Sequence, residues 1–571
     1  MADMTDAPRP SDDVSGEGGE PMPPRKSLRR NTMVMASGTL VSRGLGFIRN
    51  AMLAAAIGAT GIAANSYDVA NKIPNTLYAI VAAGVLNAVL VPQIVRAFRR
   101  ADGKRTVDRI VTLGVFGSLA ITLVFTLAAP VFVGIYTQGW GAEQRDLATA
   151  FAFWCIPQLF FYSVYTILGQ VLNAREQFGP YMWAPVLNNV VSVAGLAAFL
   201  ALYGGYRPEI DQPDWWTPGS TWLIAGTATL GIAAQALILV WPLMRGGYRW
   251  RPVWRGPKGE LSGVTTVAGW ALGAVLLDQV GVIAVTRVAS EAGAVGHDLG
   301  DASIAGNAAY FNAMMLYLLP HSLIIVSLLT ALATTMSRHA AAQDMAALRA
   351  TVARGMRIVT VFGLWSTAVL VALAPMIVRL ALPTVPADVV QSIAYVLMAL
   401  AVGGAPLALL GVFKNVFFAL EDAKAVFYIQ IPVTLVWVLG MLGLQRVLDP
   451  YWWTAGTALA LSLANVVCVV LRGVGVRRRI GGLDGRRYPA LAARALLAAL
   501  VSGAVGWALL RLVPEAGGDD VLHSLMVAGV SLAVLVPVMG LVYWALLRLL
   551  RVPEANELVA PVVSRLRRRV R

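Results

Sequence analysis

The sequence predicts an all-α polytopic membrane protein of about fourteen transmembrane helices. Of its 571 residues, 57% are hydrophobic and only 13% are charged, whereas about a quarter of the residues of a soluble protein are charged. Many windows contain the roughly 20 apolar residues that a helix needs to cross a bilayer core about 30 Å thick. The apolar runs lack the polar–apolar alternation of barrel strands, so helices are the predicted spanning elements.

Apolar runs define the predicted spans. Several of them exceed the bilayer thickness, and we expect these to tilt, bend or project beyond it. The polar, Pro- and Gly-rich residues 1–30 precede the first span and predict a disordered cytoplasmic tail. The spans are 33–57, 64–98, 107–137, 146–173, 180–204, 220–245, 262–289, 304–337, 347–381, 386–421, 424–446, 452–476, 489–513 and 521–549.

The loops between the spans alternate in charge. Loops on one side, such as YRPEIDQPDWW at 206–216, are acidic or neutral. Because cytoplasmic loops are enriched in Lys and Arg, we expect the basic side and both termini to be cytoplasmic. This distribution accounts for the net charge of +15 and predicts no nucleic-acid partner. The basic segments are the N-terminal tail, 96–109, 245–258, 338–357, 472–494 and the C-terminal SRLRRRVR.

Two pairs of segments, each pair six spans apart, are similar. Residues 171–195 align without gaps with 416–440, and KIPNTL at 72–77 resembles YLLPHSL at 317–323. An even separation gives repeats of the same orientation; chance similarity between apolar helices is the alternative. The repeat predicts two six-helix lobes around a central cavity plus two C-terminal helices. The predicted domains are the tail 1–30, an N-lobe 31–245, a C-lobe 246–476, two helices within 477–551 and a basic cytoplasmic tail 552–571.

The sequence contains no motif that predicts an enzyme. The Gly-Lys pair in DGKRT lacks the upstream glycine and the following Ser or Thr of a P-loop. The four histidines and two cysteines are scattered, without the spacing of a metal site. We therefore expect no catalytic residues, no metal and no cofactor.

Charged residues inside the spans are the candidates for function. Each costs roughly 2.5–3.5 kcal/mol near the centre of a membrane helix, so each should face protein or a water-filled cavity. Arg43 and Arg49 have no acidic residue on their own span, which favours a functional role, although one of them could snorkel to a surface. Asp68 and Lys72 are four residues apart and could simply pair along their helix. Asp278 has no basic residue within four positions, so it is either a protonated core aspartate or a cation ligand.

The first two spans resemble a known family. The stretch SGTLVSRGLGFIRNAMLAAAIGA, followed by NSYDVANKIPN, is similar to the signature of the MurJ/MviN lipid II flippases of the multidrug/oligosaccharidyl-lipid/polysaccharide exporter superfamily, and Arg43, Gly46, Phe47, Arg49 and KIPN are its specific residues. The resemblance implies a protein of the bacterial cytoplasmic membrane that moves undecaprenyl-diphosphate-linked peptidoglycan precursor from the inner to the outer leaflet by alternating access. It also implies a cationic central cavity and a lipid-accessible groove at the last two helices.

The resemblance assigns roles to several residues of this chain. It implies that the diphosphate is bound in the cavity by Arg43, Arg49 and Lys72, and that Asp278 is a candidate coupling-ion ligand, because some members resemble sodium-coupled carriers. The candidate cavity-lining residues are Asn65, Asp68 and Asn75. Three positions depart from well-known members, which have an acid at Asn65 and arginines near Tyr78 and Met315.

Other functions remain open at this level. An exporter of another polyprenyl-diphosphate-linked glycan or of drugs would use the same fold, although a cationic cavity repels drug cations. A non-transporting scaffold for cell-wall synthesis would need neither arginine of the first span. The expected partners are the undecaprenyl-diphosphate-linked lipid, membrane lipids and proteins of cell-wall synthesis or division. The sequence does not choose between a Na⁺ gradient, an H⁺ gradient and the membrane potential as the driving force.

Overall fold

The structure, a computed structural model, describes residues 25–82, 103–175, 177–255, 266–483, 485, 487–513 and 521–554. Within these residues all regular secondary structure is helical, as the sequence predicts. The helices of the first half are α1 Arg25–Ile57, α2 Gly61–Val81, α3 Gly103–Leu127, α4 Ala129–Tyr136, α5 Ala142–Cys155, α6 Gln158–Ala174, α7 Phe178–Tyr203, α8 Pro218–Thr221, α9 Thr227–Leu237 and α10 Val240–Arg245.

The second half continues in the same way. Its helices are α11 Thr266–Leu299, α12 Asn307–Pro320, α13 Val326–Ala341, α14 Met345–Ala372, α15 Ala374–Ala381, α16 Ala387–Ala401, α17 Gly404–Ala419, α18 Ala423–Val447, α19 Pro450–Ile480, α20 Arg487–Leu510 and α21 Val521–Leu549.

Several spans are interrupted where the sequence weakens the helical hydrogen-bond ladder. Pro157 separates α5 from α6, because proline has no backbone N–H and clashes with the preceding turn. A π-helical turn, His321–Ile325, follows Pro320 and joins α12 to α13. Such turns widen the helix locally and leave room for side chains from a neighbouring helix.

The number of membrane-crossing helices is close to the predicted fourteen. In the described part of the chain, 12 helices or continuous helix pairs are long and apolar enough to cross a bilayer, and 13 are if α16 and α17, bent by 41°, form one span. The remaining predicted span contains α2, and its continuation at 83–98 lies outside the described residues. The count of fourteen is therefore approximate.

The N-terminal boundary differs from the prediction. α1 begins at Arg25, so residues 25–30, assigned to a disordered tail, are helical. Arg, Lys and Leu are strong helix formers, and the basic cluster extends the first span by more than one turn. Residues 1–24 and 555–571, which hold the rest of the predicted tails, lie outside the described residues.

The helices form two lobes and an attached pair. In the first lobe α1 and α9 pack on α7, and α2 packs on α5; in the second, α18 lies between α11 and α19. The last two helices, α20 and α21, pack on each other and on α14 and α15. Hydrogen bonds fix this pair: the Tyr543 hydroxyl donates to the Val361 carbonyl (2.8 Å), and the Ser502 hydroxyl to the Met539 carbonyl (2.8 Å).

Candidate functional site: a cleft between the lobes

The helix α1 places Arg43 and Arg49 at the contact between the lobes. Arg43 and Arg49 lie about 9 Å apart along the axis and about 120° apart around it, from the helical rise and pitch. The Arg43 guanidinium donates a hydrogen bond to the Ser322 hydroxyl in the π-helical turn of the second lobe. Arg43 thus joins the two lobes.

Arg49 lines a small cleft that both lobes enclose. Its free volume is about 50 Å³. Arg49 is half-buried, yet among the described residues its side chain has no hydrogen-bond or ion-pair partner. A half-buried guanidinium with five free donors is suited to an anionic ligand. The polar and aromatic residues around it include Asn50, Tyr67, Asp68, Asn71, Phe311 and Asn312.

A second cleft lies beside the first, between α2 and the second lobe. It has a volume of about 320 Å³ and contains the side chains of Lys72 and Asn75. Phe311 lines both clefts, so this side chain separates two parts of one central cavity. The facing residues of the second lobe include Gln279, Thr286, Met314 and Trp437.

Lys72 is paired within its own helix. Its Nζ lies 2.9 Å from Oδ2 of Asp68, and both side chains are largely buried, at 16% and 9% exposed. Nζ also donates longer hydrogen bonds to Thr286 Oγ1 (3.4 Å) and Asn307 Oδ1 (3.5 Å) of the second lobe. The pairing that the four-residue spacing allowed is therefore present, and Asp68 neutralises the charge predicted to help bind the diphosphate.

Asn65 does not line either cleft, contrary to the prediction. It is 2% exposed, and its Oδ1 accepts a hydrogen bond from the Ala308 backbone N–H (3.0 Å) in the first turn of α12. The first backbone N–H groups of a helix have no partner inside the helix, so a side-chain oxygen from the other lobe satisfies one of them. Of the other two residues predicted to line the cavity, Asp68 lines the cleft beside Arg49 and Asn75 lines the second cleft.

A group of hydrogen bonds joins the lobes near one end of the bundle. They involve the C-terminal half of α1, the segment around α4, and the ends of α11 and α12. These hydrogen bonds close the cavity at this end, which the charge pattern of the sequence predicts to be the outer one. The donors and acceptors are Asn50 Nδ2 to Asn312 Oδ1 (2.6 Å), Trp140 Nε1 to the Ser290 carbonyl (3.0 Å), Arg287 Nη1 to the Ile135 carbonyl (3.1 Å) and Arg287 Nε to Gln138 Oε1 (3.2 Å).

Asp278 has positively charged neighbours in the structure, and its role as a coupling-ion ligand stays a prediction. It projects from α11 and interacts electrostatically with Lys414 of α17 and Arg472 of α19. Arg472 is buried and donates to Gln430 Oε1 (3.2 Å). The sequence could not show this, because the three charged residues come from three distant helices.

Two of the departures from the family pattern have structural partners. Tyr78, where an arginine was expected, shares a hydrogen bond with Thr166 inside the first lobe. Asn65 forms the contact between the lobes already described. The sequence also missed Asn50, Ser322 and Asn312 as interface residues; their signal was a polar side chain within an apolar span.

Comparison with known proteins agrees with the resemblance. The sequence model of the family Lipid II flippase MurJ matches residues 53–527. The chain is 25% identical over 496 residues to a probable lipid II flippase MurJ of Haemophilus influenzae, covering 82% of this chain and 90% of that protein. It is also 25% identical over 501 residues to the corresponding Vibrio cholerae protein, covering 85% and 90%.

Solved structures share the fold. A lipid II flippase MurJ in an inward closed conformation aligns over 93% of this chain and 100% of its own, with a TM-score of 0.67 and 15% identity. An inward-facing MATE-family multidrug resistance transporter of the MOP superfamily covers 79% of this chain and 98% of its own, with a TM-score of 0.61 and 14% identity. Because the family model matches most of the sequence, the chain belongs to the MurJ family of lipid II flippases.

Proposed function

We propose that this protein moves lipid II from the inner to the outer leaflet by alternating access of its central cavity. The main observation behind the proposal is Arg49, a half-buried guanidinium that has no partner among the described residues and lines a cleft enclosed by both lobes. Family membership indicates the class of substrate, and the cleft indicates where its charged group would bind.

The chemistry of a diphosphate fits this arginine. A guanidinium stays charged at any physiological pH and offers planar, paired donors to phosphate oxygens. Charge-assisted hydrogen bonds are roughly twice as strong as neutral ones. Arg43 would join Arg49 once its bond to Ser322 is broken. The reaction is translocation only: the polyprenyl tail stays in lipid while the head group crosses, and no covalent bond changes.

The size of the cleft supports a cycle with at least two states. The free volume beside Arg49 is about 50 Å³, which is room for about two water molecules and far too little for a disaccharide-peptide head group. The lobes must therefore separate at the end opposite the closed one before the substrate can reach Arg49. We infer that the structure represents a contracted state of the cycle.

The orientation follows from the charge pattern. We propose that both termini are cytoplasmic and that the closed end of the cavity faces the periplasm of a bacterial inner membrane. The lipid carrier would be undecaprenyl diphosphate, and proteins of cell-wall synthesis or division are its expected neighbours.

We propose that the membrane potential drives transport. Lys414 and Arg472 beside Asp278 give this region an excess of positive charge, which disfavours a bound Na⁺. Outward movement of a diphosphate is favoured by an inside-negative membrane, by about 2.3 kcal/mol per charge per 100 mV. Collapsing the potential with valinomycin and potassium should stop transport, and removing sodium alone should not.

The central test replaces the cavity arginines. Arg49→Ala should abolish growth when the host's own lipid II flippase is depleted, while the protein still reaches the membrane. Arg49→Lys should rescue only partly, because it keeps the charge but loses the planar fork. Arg446→Ala, an exposed arginine at the end of α18, is the matched control and should grow normally. Normal growth and normal precursor binding by Arg49→Ala would contradict the proposal.

A further inference from the structure

A second cationic cleft lies outside the central cavity, where α14, α20 and the end of α21 meet. Its volume is about 660 Å³, and it shares no lining residue with either central cleft. By the charge pattern it opens at the cytoplasmic surface of the membrane. Its charged lining residues are Arg357, Arg487, Arg494, Arg551 and Glu554.

Most of the positive charge in this cleft is not neutralised. Glu554 is 7% exposed, and its Oε1 lies 2.6 Å from Nε of Arg357, so these two charges form a pair. The other three side chains have no hydrogen bond or ion pair within the described part of the chain. The cleft therefore has a formal charge of +3, with the donors of Arg487, Arg494 and Arg551 available to a ligand.

One face of α20 supplies two of these arginines and then becomes apolar. The lining residues Arg487, Ala490, Leu491 and Arg494 have the three- and four-residue spacing of a single helix face. The Cα atoms of the two arginines lie about 10 Å apart along the helix axis, from the helical rise. The same face continues towards the bilayer centre with Leu497 and Val501, which are exposed. A headgroup-sized cationic cleft thus leads directly into an exposed aliphatic stripe.

The third arginine is held in a backbone conformation that usually requires glycine. Arg551 has φ +56° and terminates α21, where the Val552 N–H donates to the Leu547 carbonyl (2.9 Å). Glycine is the preferred residue at this left-handed position, and a non-glycine residue there is strained. Val552 then turns inward and is buried. The backbone of Arg551 is therefore set by the helix end, and its exposed side chain lines the cleft.

We propose that this cleft binds the phosphate of an anionic bilayer phospholipid, with the acyl chains lying along the Leu497–Val501 face of α20. Basic clefts between transmembrane helices at the cytoplasmic surface suit anionic headgroups, and paired arginines suit phosphate. The apolar stripe favours a lipid over a soluble phosphate. This inference does not depend on the proposed transport of lipid II.

The test is binding of phosphatidylglycerol to the purified full-length protein in detergent, followed by native mass spectrometry and by the thermal midpoint. Phosphatidylglycerol should bind and stabilise the protein, and phosphatidylethanolamine, which has no net charge, should bind much more weakly. Arg551→Gly is the informative variant, because glycine suits the left-handed position and the fold is retained. It should weaken phosphatidylglycerol binding about tenfold, the loss expected for one charge-assisted contact. Arg487→Gln combined with Arg494→Gln should remove the selectivity for the anionic lipid.

The matched control is Arg548→Ala. Arg548 precedes the cleft by less than one turn and stacks on Trp544 at 4.8 Å, but it does not line the cleft. This variant loses the same charge from the same helix end and should bind phosphatidylglycerol normally. If Arg548→Ala and Arg551→Gly weaken phosphatidylglycerol binding equally, the effect comes from surface charge in general, and the proposed site is wrong. Equal protection by glycerol 3-phosphate, which has no acyl chain, would overturn the lipid assignment.

Discussion

The Asp68–Lys72 pair allows the structural and the substrate-binding roles of Lys72 to be separated. Three variants suffice: Asp68→Asn, Lys72→Met and the double variant. If the lysine mainly neutralises Asp68, removing both charges together should harm the protein less than removing the lysine alone. If the lysine binds the diphosphate, the double variant should be as inactive as Lys72→Met.

The structure sets the expected magnitudes. Removing one partner of a buried ion pair typically costs about 3–5 kcal/mol, because the remaining charge is left uncompensated. The two single variants should not be equal. Without Asp68, Lys72 keeps the oxygens of Thr286 and Asn307 at 3.4 and 3.5 Å. Without Lys72, the Asp68 carboxylate loses its only hydrogen-bond donor in the described part of the chain. Lys72→Met should therefore be the more destabilising change.

The assay combines thermal stability of the purified variants with growth under depletion of the host flippase. We expect the order of stability to be wild type, then the double variant, then Asp68→Asn, then Lys72→Met. We expect growth to be restored in the double variant relative to Lys72→Met. A double variant that is stable but cannot support growth would refute the interpretation that Lys72 mainly neutralises Asp68. It would indicate that Lys72 binds the substrate.

Three further predictions follow from the interface, the charge pattern and the Asp278 region. Asn50→Ala leaves Asn312 without its buried partner, at a cost of about 1–3 kcal/mol to the closed state. In a Gln138→Cys/Arg287→Cys background it should lower the yield of a bis-maleimide cross-link between the lobes, and an unchanged yield would argue against this bond as a lock. Reporter fusions at Pro218 and Gly300 should read periplasmic and a fusion at Gly482 cytoplasmic, and any reversal breaks the assigned topology. Asp278→Asn should leave the sodium dependence of transport unchanged, because the nearby arginine and lysine already supply positive charge; a new sodium requirement in this variant would contradict that account.

The sequence predicts the helical fold because its signals are local. Apolar runs of about 20 residues define spans wherever they occur, and proline and glycine mark many of the breaks. The importance of α1 was also predictable, because Arg43 and Arg49 are costly in a membrane and lack an acid on the same helix. These inferences need no knowledge of which helices become neighbours.

The partners of the cavity residues could not be predicted, because they depend on which helices become neighbours. Asp278 looks isolated in sequence, since Lys414 and Arg472 are more than a hundred residues away. The sequence predicts Asn65 as a cavity residue, but in the structure its side chain accepts a hydrogen bond from the Ala308 N–H of α12. Arg472 was counted as a loop charge, because it lies at the predicted end of a span. Contacts between helices that are distant in sequence decide whether a charged side chain in the membrane is free, paired or buried. The spacing of residues along the chain does not predict these contacts.

The type of bond at the closed end matters for a protein that must open. The polar contacts between the lobes there are hydrogen bonds, and none of the ion pairs among the described residues joins the two lobes. A neutral hydrogen bond contributes about 0.5–1.5 kcal/mol net, and one that a charged group such as Arg287 donates contributes about 1.5–3 kcal/mol. A few of them therefore amount to several kcal/mol. Reversing a two-state equilibrium from 1:99 to 99:1 takes about 5.5 kcal/mol of differential binding. Two arginines that bind a diphosphate in only one state can supply a difference in binding free energy of that size. Buried ion pairs between the lobes would raise the free energy of opening beyond it. Replacing Asn50 and Asn312 by an Asp and an Arg should therefore hold the cavity closed and stop transport even with both cavity arginines intact.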